Sequence, residues 1–443
     1  MARQYFGTDG IRGRVGEHPM TAEFALRLAS AAARVLAPQG GRVMIGKDTR
    51  VSGYMFESAL EAGFVAAGMD VALLGPLPTP GIAYMTQHTQ ADLGVVISAS
   101  HNPYYDNGIK FFDRHGAKLS DAIEEQIEVF LRDPAITRES ESLGRAKRLE
   151  ASIEYYQRFA IGTLPEGVRL DGLKIVVDCS HGAGYKVAPR TLSELGAEII
   201  PLGCSPNGRN INAGCGSTQP ELMRLMVTGV GADVGVAFDG DGDRLVMADH
   251  TGNLIDGDQL LYVLALDRYA RGVLKGPVVG TLMTNLGLER ALVDTGIGFR
   301  RAKVGDRYVL EMLRESGGEL GGETSGHVLC LDKTTTGDGL VTALQVLAVM
   351  RQSGRRLADL VAGMQRYPQV LINVRTARRI DLAGPGPVRD AVAEAERALG
   401  NRGRVVLRAS GTEPVVRVMV EGEHEDEVRR HAEGIARAVG AAP

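Results

Sequence analysis

Cysteine is scarce in this chain: Cys179, Cys204, Cys215 and Cys330 are the only four in 443 residues, far apart and without C-x-x-C spacing. That excludes a disulfide framework and a thiolate zinc site, and leaves buried, reduced thiols as the expectation. Long apolar runs are missing too. The longest are too short or too interrupted to span a bilayer, and the opening MARQYFGTDGIRG has no apolar signal core. A cytoplasmic protein with no membrane partner is therefore expected. Nor is there a block of one charge sign. With 50 basic against 54 acidic residues, nothing resembles an electrostatic footprint for nucleic acid, and a small-molecule ligand is the expected partner.

What the chain does contain is repetition. RVMIGKDTR, FESALEAGFVAAG and DVALLG read as strand, helix and strand. The same order returns in KIVVDCSHG, VAPRTLSELG and AEIIPLG, and again in PVVGTLMTN, LGLERALVDTG and FRRAKVG. Each copy has the size of one βαβ unit, and Gly68, Gly196 and Gly296 stand where a left-handed helix cap is wanted. Three copies in register predict three related α/β domains with mixed or parallel sheets, over residues 1–155, 156–255 and 256–367. Beyond Pro368 a strand, a helix, a hairpin and a last helix predict a compact α+β domain over 368–443.

After each repeat unit a mostly apolar run leads into a polar loop: DLGVVISASHNP, ADVGVAFDGDGDR and GELGGETSGH. Ligands of α/β sheets collect at strand ends, so the three loops are expected to converge on one central cleft. In the first, Ser100 and His101 stand among ordinary turn formers, and a plain turn is the competing explanation. In the second, Asp239, Asp241 and Asp243 alternate with glycines, which puts three carboxylates on one face of an extended chain. Such crowding calls for a cation, and oxygen ligands without His or Cys favour Mg²⁺ over zinc. An EF-hand is excluded because Arg244 and His250 occupy its glycine and glutamate positions. A phosphatase with Asp239 as nucleophile is weakened by Asp243, where such enzymes usually carry Thr or Val. A solvated acidic turn stays open. Metal beside a loop serine suggests phosphoryl transfer, with Arg244 sharing the phosphate charge.

Two further loops fit that chemistry. RASGTEPVVR supplies Arg408, Ser410, Gly411, Thr412 and Arg417, a phosphate clamp of hydroxyls, a tight glycine turn and two guanidinium forks, or else a polar hairpin. GGETSGH supplies Glu323 and Ser325 for sugar hydroxyls and His327 for a proton, or else a plain turn.

With SASHNP, DGDGDR, GETSGH and RASGTEP in that order, the chain resembles the α-D-phosphohexomutase family over essentially its full length. The resemblance implies that Ser100 is carried as phosphoserine and that Mg²⁺ is held by Asp239, Asp241, Asp243 and a Ser100 oxygen. It also implies that the terminal clamp holds the phosphate that is not reacting. The opening YFGTDGIRG and the GETSGH form imply glucosamine 6-phosphate and glucosamine 1-phosphate as the interconverted pair, through glucosamine 1,6-bisphosphate. The phosphomannomutase/phosphoglucomutase branch is the alternative. By the same carry-over Lys110 and His327 are candidates for moving the hydroxyl proton, and Thr8, Arg12, Arg50 and His101 support the site. Ser100 is expected to be exposed, a hinge is expected near 367, and a homodimer is the candidate assembly.

Overall fold

The protein is described by a computed structural model, which places residues 3–7, 9–376, 382, 384, 386–409 and 415–441. Its first three domains repeat one sheet topology. In the first, Gly41–Lys47 pairs in parallel with Met69–Pro76 on one side and Leu93–Ile97 on the other, and Leu93–Ile97 then folds back antiparallel onto Asp106–Asp113. Ile11–Arg14 and Ala146–Arg148 extend this sheet to six strands. In the second, Lys174–Asp178 lies in parallel between Glu198–Leu202 and Val234–Phe238, and Val234–Phe238 hairpins onto Leu245–Asp249. In the third, Val278–Thr281 lies between Phe299–Ala302 and Leu320–Gly322, with Val328–Cys330 closing the hairpin.

The sheets are therefore mixed, and in each copy the polar loop joins the third strand of the unit to its antiparallel partner. The helices that return the chain between the parallel strands, Gly53–Ala66, Val187–Glu194 and Leu286–Asp294, are each followed by the expected glycine with positive φ: 87° at Gly68, 97° at Gly196 and 81° at Gly296. A side chain at those dihedrals would be strained, which is why glycine ends each helix.

The last domain is a three-stranded antiparallel sheet, Gln369–Arg375, Val415–Gly422 and Gly403–Ala409, with Val415–Gly422 in the middle. Helices Pro387–Leu399 and Glu425–Gly440 cover one face. Its core, which includes Val388, Leu399, Val418, Val420, Val428 and Ile435, is separate from the rest. By contrast one continuous core runs through the other three domains, joining Met44 and Phe112 to Ile175 and Phe238 and on to Leu260 and Leu340. The boundary expected near 155 lies inside helix Ser152–Gly162, where buried Tyr156 donates its hydroxyl to Asp338 of the third domain at 2.9 Å. No described helix is long and apolar enough to cross a membrane. All four cysteines are free; Cys204 is only half-buried, against the expectation of burial for all four.

Candidate active site

The serine loop is built around a strained residue. Ser100 has φ +52°, and two buried groups hold the turn that imposes it. Arg50 donates to the carbonyls of Ser100 at 3.1 Å, Asn102 at 2.6 Å and Asp106 at 2.9 Å, while Asn212 of the second domain donates to the Ser100 carbonyl at 2.9 Å. Arg50 is itself paired with Asp48 at 3.0 Å, whose other contact is the Ser98 hydroxyl at 2.6 Å. Arg50 thus supports the loop from beneath and does not line the cleft. Strained, over-determined turns of this kind mark functional sites.

Ser100 is not exposed, contrary to expectation: only 1% of its surface is accessible, and its Oγ donates to Asp239 Oδ2 at 2.6 Å. The physical reason is the acceptor: Asp239, from the second domain, draws the hydroxyl inward, while its other oxygen accepts from the Arg244 N–H at 3.2 Å. Burial, with Asp243 and Asp241 beside it, raises the Asp239 carboxyl well above the usual range, and Arg244 and the serine hydroxyl pull the other way.

Asp239, Asp241 and Asp243 do converge. Their ligand oxygens lie within 4.8 Å of one another and all three residues are buried. Asp241 Oδ1 and Asp243 Oδ1 are buried without a hydrogen-bond partner, which is costly unless a cation completes them. An all-oxygen set of this size fits a hard divalent ion.

Lys110, from strand Asp106–Asp113, places its ammonium 2.9 Å from Asp241, 2.9 Å from Asp9 and 3.7 Å from Asp243. Burial disfavours its charge, but these carboxylates outweigh it and hold the lysine above its usual range. His327 lies between Asp243 at 3.7 Å and Asp306 at 3.3 Å. Burial again opposes the charged form, yet the two carboxylates push its pKa up to about 10. His101 goes the other way. Burial, then Arg244 and Arg12, push it down to about 4, so a neutral ring sits 3.3 Å from Ser100 Oγ and 3.1 Å from Arg244.

Beside this cluster opens a cavity of about 790 Å³ to which all four domains contribute, including Arg12, Arg244, Glu323, His327, Arg408 and Arg417. Alternation along Val415–Gly422 explains the last pair: Val416, Val418 and Val420 enter the domain core, so Arg417 points the opposite way. Arg408 is its direct cross-strand partner. Two like charges side by side repel, and neither meets a carboxylate among the described residues, so the pair is suited to an anion. Glu323 accepts from the backbone of Gly305 at 3.1 Å. Ser325 is exposed and does not line the cavity, and Lys110 is likewise outside its wall. Ser410, Gly411, Thr412 and Thr8 lie outside the described residues.

Four family models of the phosphoglucomutase/phosphomannomutase type match in order: domain I over 3–135, domain II over 154–252, domain III over 256–367 and the C-terminal domain over 371–438. The chain belongs to the phosphoglucomutase/phosphomannomutase family. Within that family it is 57% identical to a phosphoglucosamine mutase of Aeromonas hydrophila, with both chains covered in full. It is 56% identical to a phosphoglucosamine mutase of Methylococcus capsulatus over all of this chain and 99% of the other. Among solved structures a putative phosphomannomutase from Thermus thermophilus superposes with TM-score 0.80 at 25% identity, covering 99% of each chain. An Aspergillus fumigatus N-acetylphosphoglucosamine mutase superposes with TM-score 0.70 at 18% identity over 98% of this chain and 95% of the other, which shows the shared fold.

Several members of this phosphohexomutase site had not been anticipated. Lys118 contacts Asp9 at 2.5 Å and Asp306 at 2.5 Å, so Lys110, Asp9, Lys118, Asp306, His327 and Asp243 form a closed circuit of alternating charge. Thr79 donates its hydroxyl to Asp241 at 2.7 Å. Asp9 lies within the opening motif, but Lys118, Asp306 and Thr79 carry no local signal.

Proposed function

We propose that this phosphohexomutase interconverts glucosamine 6-phosphate and glucosamine 1-phosphate by carrying a phosphoryl group on Ser100. The reading rests on one junction: Ser100 Oγ lies 2.6 Å from Asp239, and Asp243 and Arg244 of the same aspartate loop line a cavity that the Arg408 and Arg417 pair also lines. In the first half-reaction the bond from phosphorus to Ser100 Oγ breaks, a bond to sugar O1 forms, and the O1 proton passes to a base. Glucosamine 1,6-bisphosphate results. After it turns, the 6-phosphoryl group returns to Ser100 and O6 regains a proton. Arg408 and Arg417 hold the phosphate that is not reacting, in either orientation, because they read charge and shape. Ser410, Gly411 and Thr412 belong to that clamp in this proposal.

Asp239, Asp241, Asp243 and the Ser100 oxygen would hold Mg²⁺, which when bound supplies positive charge against the phosphoryl oxygens. The Aspergillus relative was solved with GlcNAc-6P and magnesium, which supports this choice of ion and ligand class. Arg244 and Arg12 share the phosphate charge, and Glu323 grips sugar hydroxyls, with Ser325 joining it only if its loop moves inward. His327 lines the cavity and is held protonated by Asp243 and Asp306, which suits it to supply the proton that O6 regains, whereas Lys110, outside the cavity wall, holds the aspartate loop. His101, neutral, orients Arg244 beside the serine.

The amino sugar is supported by the full-length likeness to phosphoglucosamine mutases. Measuring kcat/KM for glucosamine 6-phosphate against glucose 6-phosphate and mannose 6-phosphate, with Mg²⁺ and a trace of bisphosphate, tests it. A clear preference for the amino sugar is expected; equal use of glucose or mannose would move the chain to the neighbouring branch. A phosphoenzyme cleaved by hydroxylamine would instead indicate an acyl phosphate on Asp239. The homodimer belongs to the same proposal, and sedimentation as a single chain would overturn it.

A further inference from the structure

The sugar loop rests on the start of helix Gly257–Ala270. Gly257 N–H donates to the Thr324 carbonyl at 3.1 Å, and a Cβ at Gly257 would fall 2.1 Å from the Glu323 carbonyl, so nothing larger than glycine lets the two meet. One residue on, Asp258 is wholly buried, and a single oxygen of it takes two donors from different places. Its Oδ2 accepts from the Thr324 hydroxyl at 2.9 Å and from the Asn285 N–H at 2.8 Å, while Oδ1 has no partner. Burial, then Asp256, push this carboxyl up to about 7, and the bonds from Asn285 and Thr324 pull the other way.

Asn285 in turn clasps the connection to the last domain. Its side chain accepts from Tyr367 N–H at 3.0 Å and donates to the Tyr367 carbonyl at 3.0 Å, just before strand Gln369–Arg375 begins. The next residue, Leu286, donates its N–H to Glu421 of the terminal domain at 2.8 Å. One carboxylate oxygen thus stands between the loop carrying Glu323 and the connection to the domain that carries Arg408 and Arg417. With no water-exposed surface, Asp258 is poorly served by either donor alone, so each arm favours the placement of the other.

We propose that Asp258 is a positioning residue that couples the grip of Glu323 on the sugar to closure of the terminal phosphate clamp, with Thr324 and Asn285 as its two arms. The inference rests on the reading of Glu323 as the sugar grip. Thr324→Val keeps the shape of the loop residue and removes one arm. In the full-length enzyme it should raise KM for glucosamine 6-phosphate about tenfold, with a smaller effect on kcat, as loss of a hydrogen bond to a charged group would. Thr324→Ser keeps the hydroxyl and should return KM to within about twofold of wild type.

The coupling itself is read from a cycle with Arg417→Ala in the clamp. Distant, independent sites give effects on kcat/KM that multiply, whereas coupled ones do not. Thr324→Val should cost at least about threefold less in the Arg417→Ala background than in wild type. Simple multiplication, with Glu323→Gln impaired in KM, would overturn the coupling alone. An unchanged KM in Glu323→Gln would overturn the grip, and the inference with it.

Discussion

Alanine at position 100 would lose the hydroxyl that donates to Asp239 but keep the turn, because Arg50 and Asn212 hold its carbonyl and not its side chain. Ser100→Ala should therefore fold normally by circular dichroism and lose at least about a thousandfold in mutase kcat, as expected when a covalent nucleophile is removed. Substantial residual turnover would remove Ser100 from the reaction. Asp241→Asn leaves a side chain of the same size beside Lys110 and Thr79 but gives the cation site a weaker ligand. It should raise the Mg²⁺ concentration for half-maximal rate by about tenfold or more, and an unchanged requirement would place the metal elsewhere. At this scale the sequence was readable wherever chemistry clusters locally. The aspartates alternate with glycines in one short loop, though they converge through a turn, in which the Gly242 N–H donates to the Asp239 carbonyl at 3.1 Å, and not along the extended chain expected. The period of two along Val415–Gly422 turns Arg417 away from the core. It was unreadable where partners are far apart: nothing near Lys118 announces Asp306, 188 residues away. The buried serine was missed for a related reason, since its acceptor Asp239 comes from another domain.

Elements carry the repeat, and that is where the sequence spoke most clearly. Strand, helix, glycine and strand recur because each unit must return the chain for a parallel neighbour, and only glycine ends the helix at positive φ without strain. The hairpin that follows each unit could be located by its apolar run, but the docking of one hairpin on another element's end could not, since it depends on a missing Cβ at Gly257. The same helix start offers a pH test. The carboxyl of Asp258 is raised from 3.8 in a free chain to about 7 when folded. Its folded-state contribution is present in full below pH 3.8 and is lost as pH rises through about 7. Asp258→Asn never carries that buried charge. The melting temperature of Asp258→Asn relative to wild type should therefore rise between pH 5 and pH 8, and a flat or falling difference would contradict the raised pKa.

For the molecule as a whole, the arrangement of cores predicts how it comes apart. One core runs through the first three domains, beside a separate cluster within each, and Tyr156 locks the second to the third through Asp338, whereas the core of the terminal domain joins none of these. Arg404 spans that junction, bonding Glu421 at 2.7 Å and the carbonyls of Leu282 and Thr284 at 2.8 and 2.7 Å. Calorimetry should show two transitions, the smaller being the terminal domain. Arg404→Met, which leaves buried Glu421 without its cation, should lower that transition alone, by about 3 kcal/mol. A single transition that shifts as a unit would show the four domains to be one cooperative body.

Separate cores also separate two tasks along the temperature axis. In the proposed mechanism, transfer at Ser100 and the aspartates belongs to the first three domains, while retention of the doubly phosphorylated sugar belongs to Arg408 and Arg417, on the domain expected to loosen first. Warming should therefore turn a faithful isomerase into a leaky one before it becomes an inactive one. Free bisphosphate should accumulate in the medium over a window just below the first transition, and phosphorus NMR of the supernatant would record the escape.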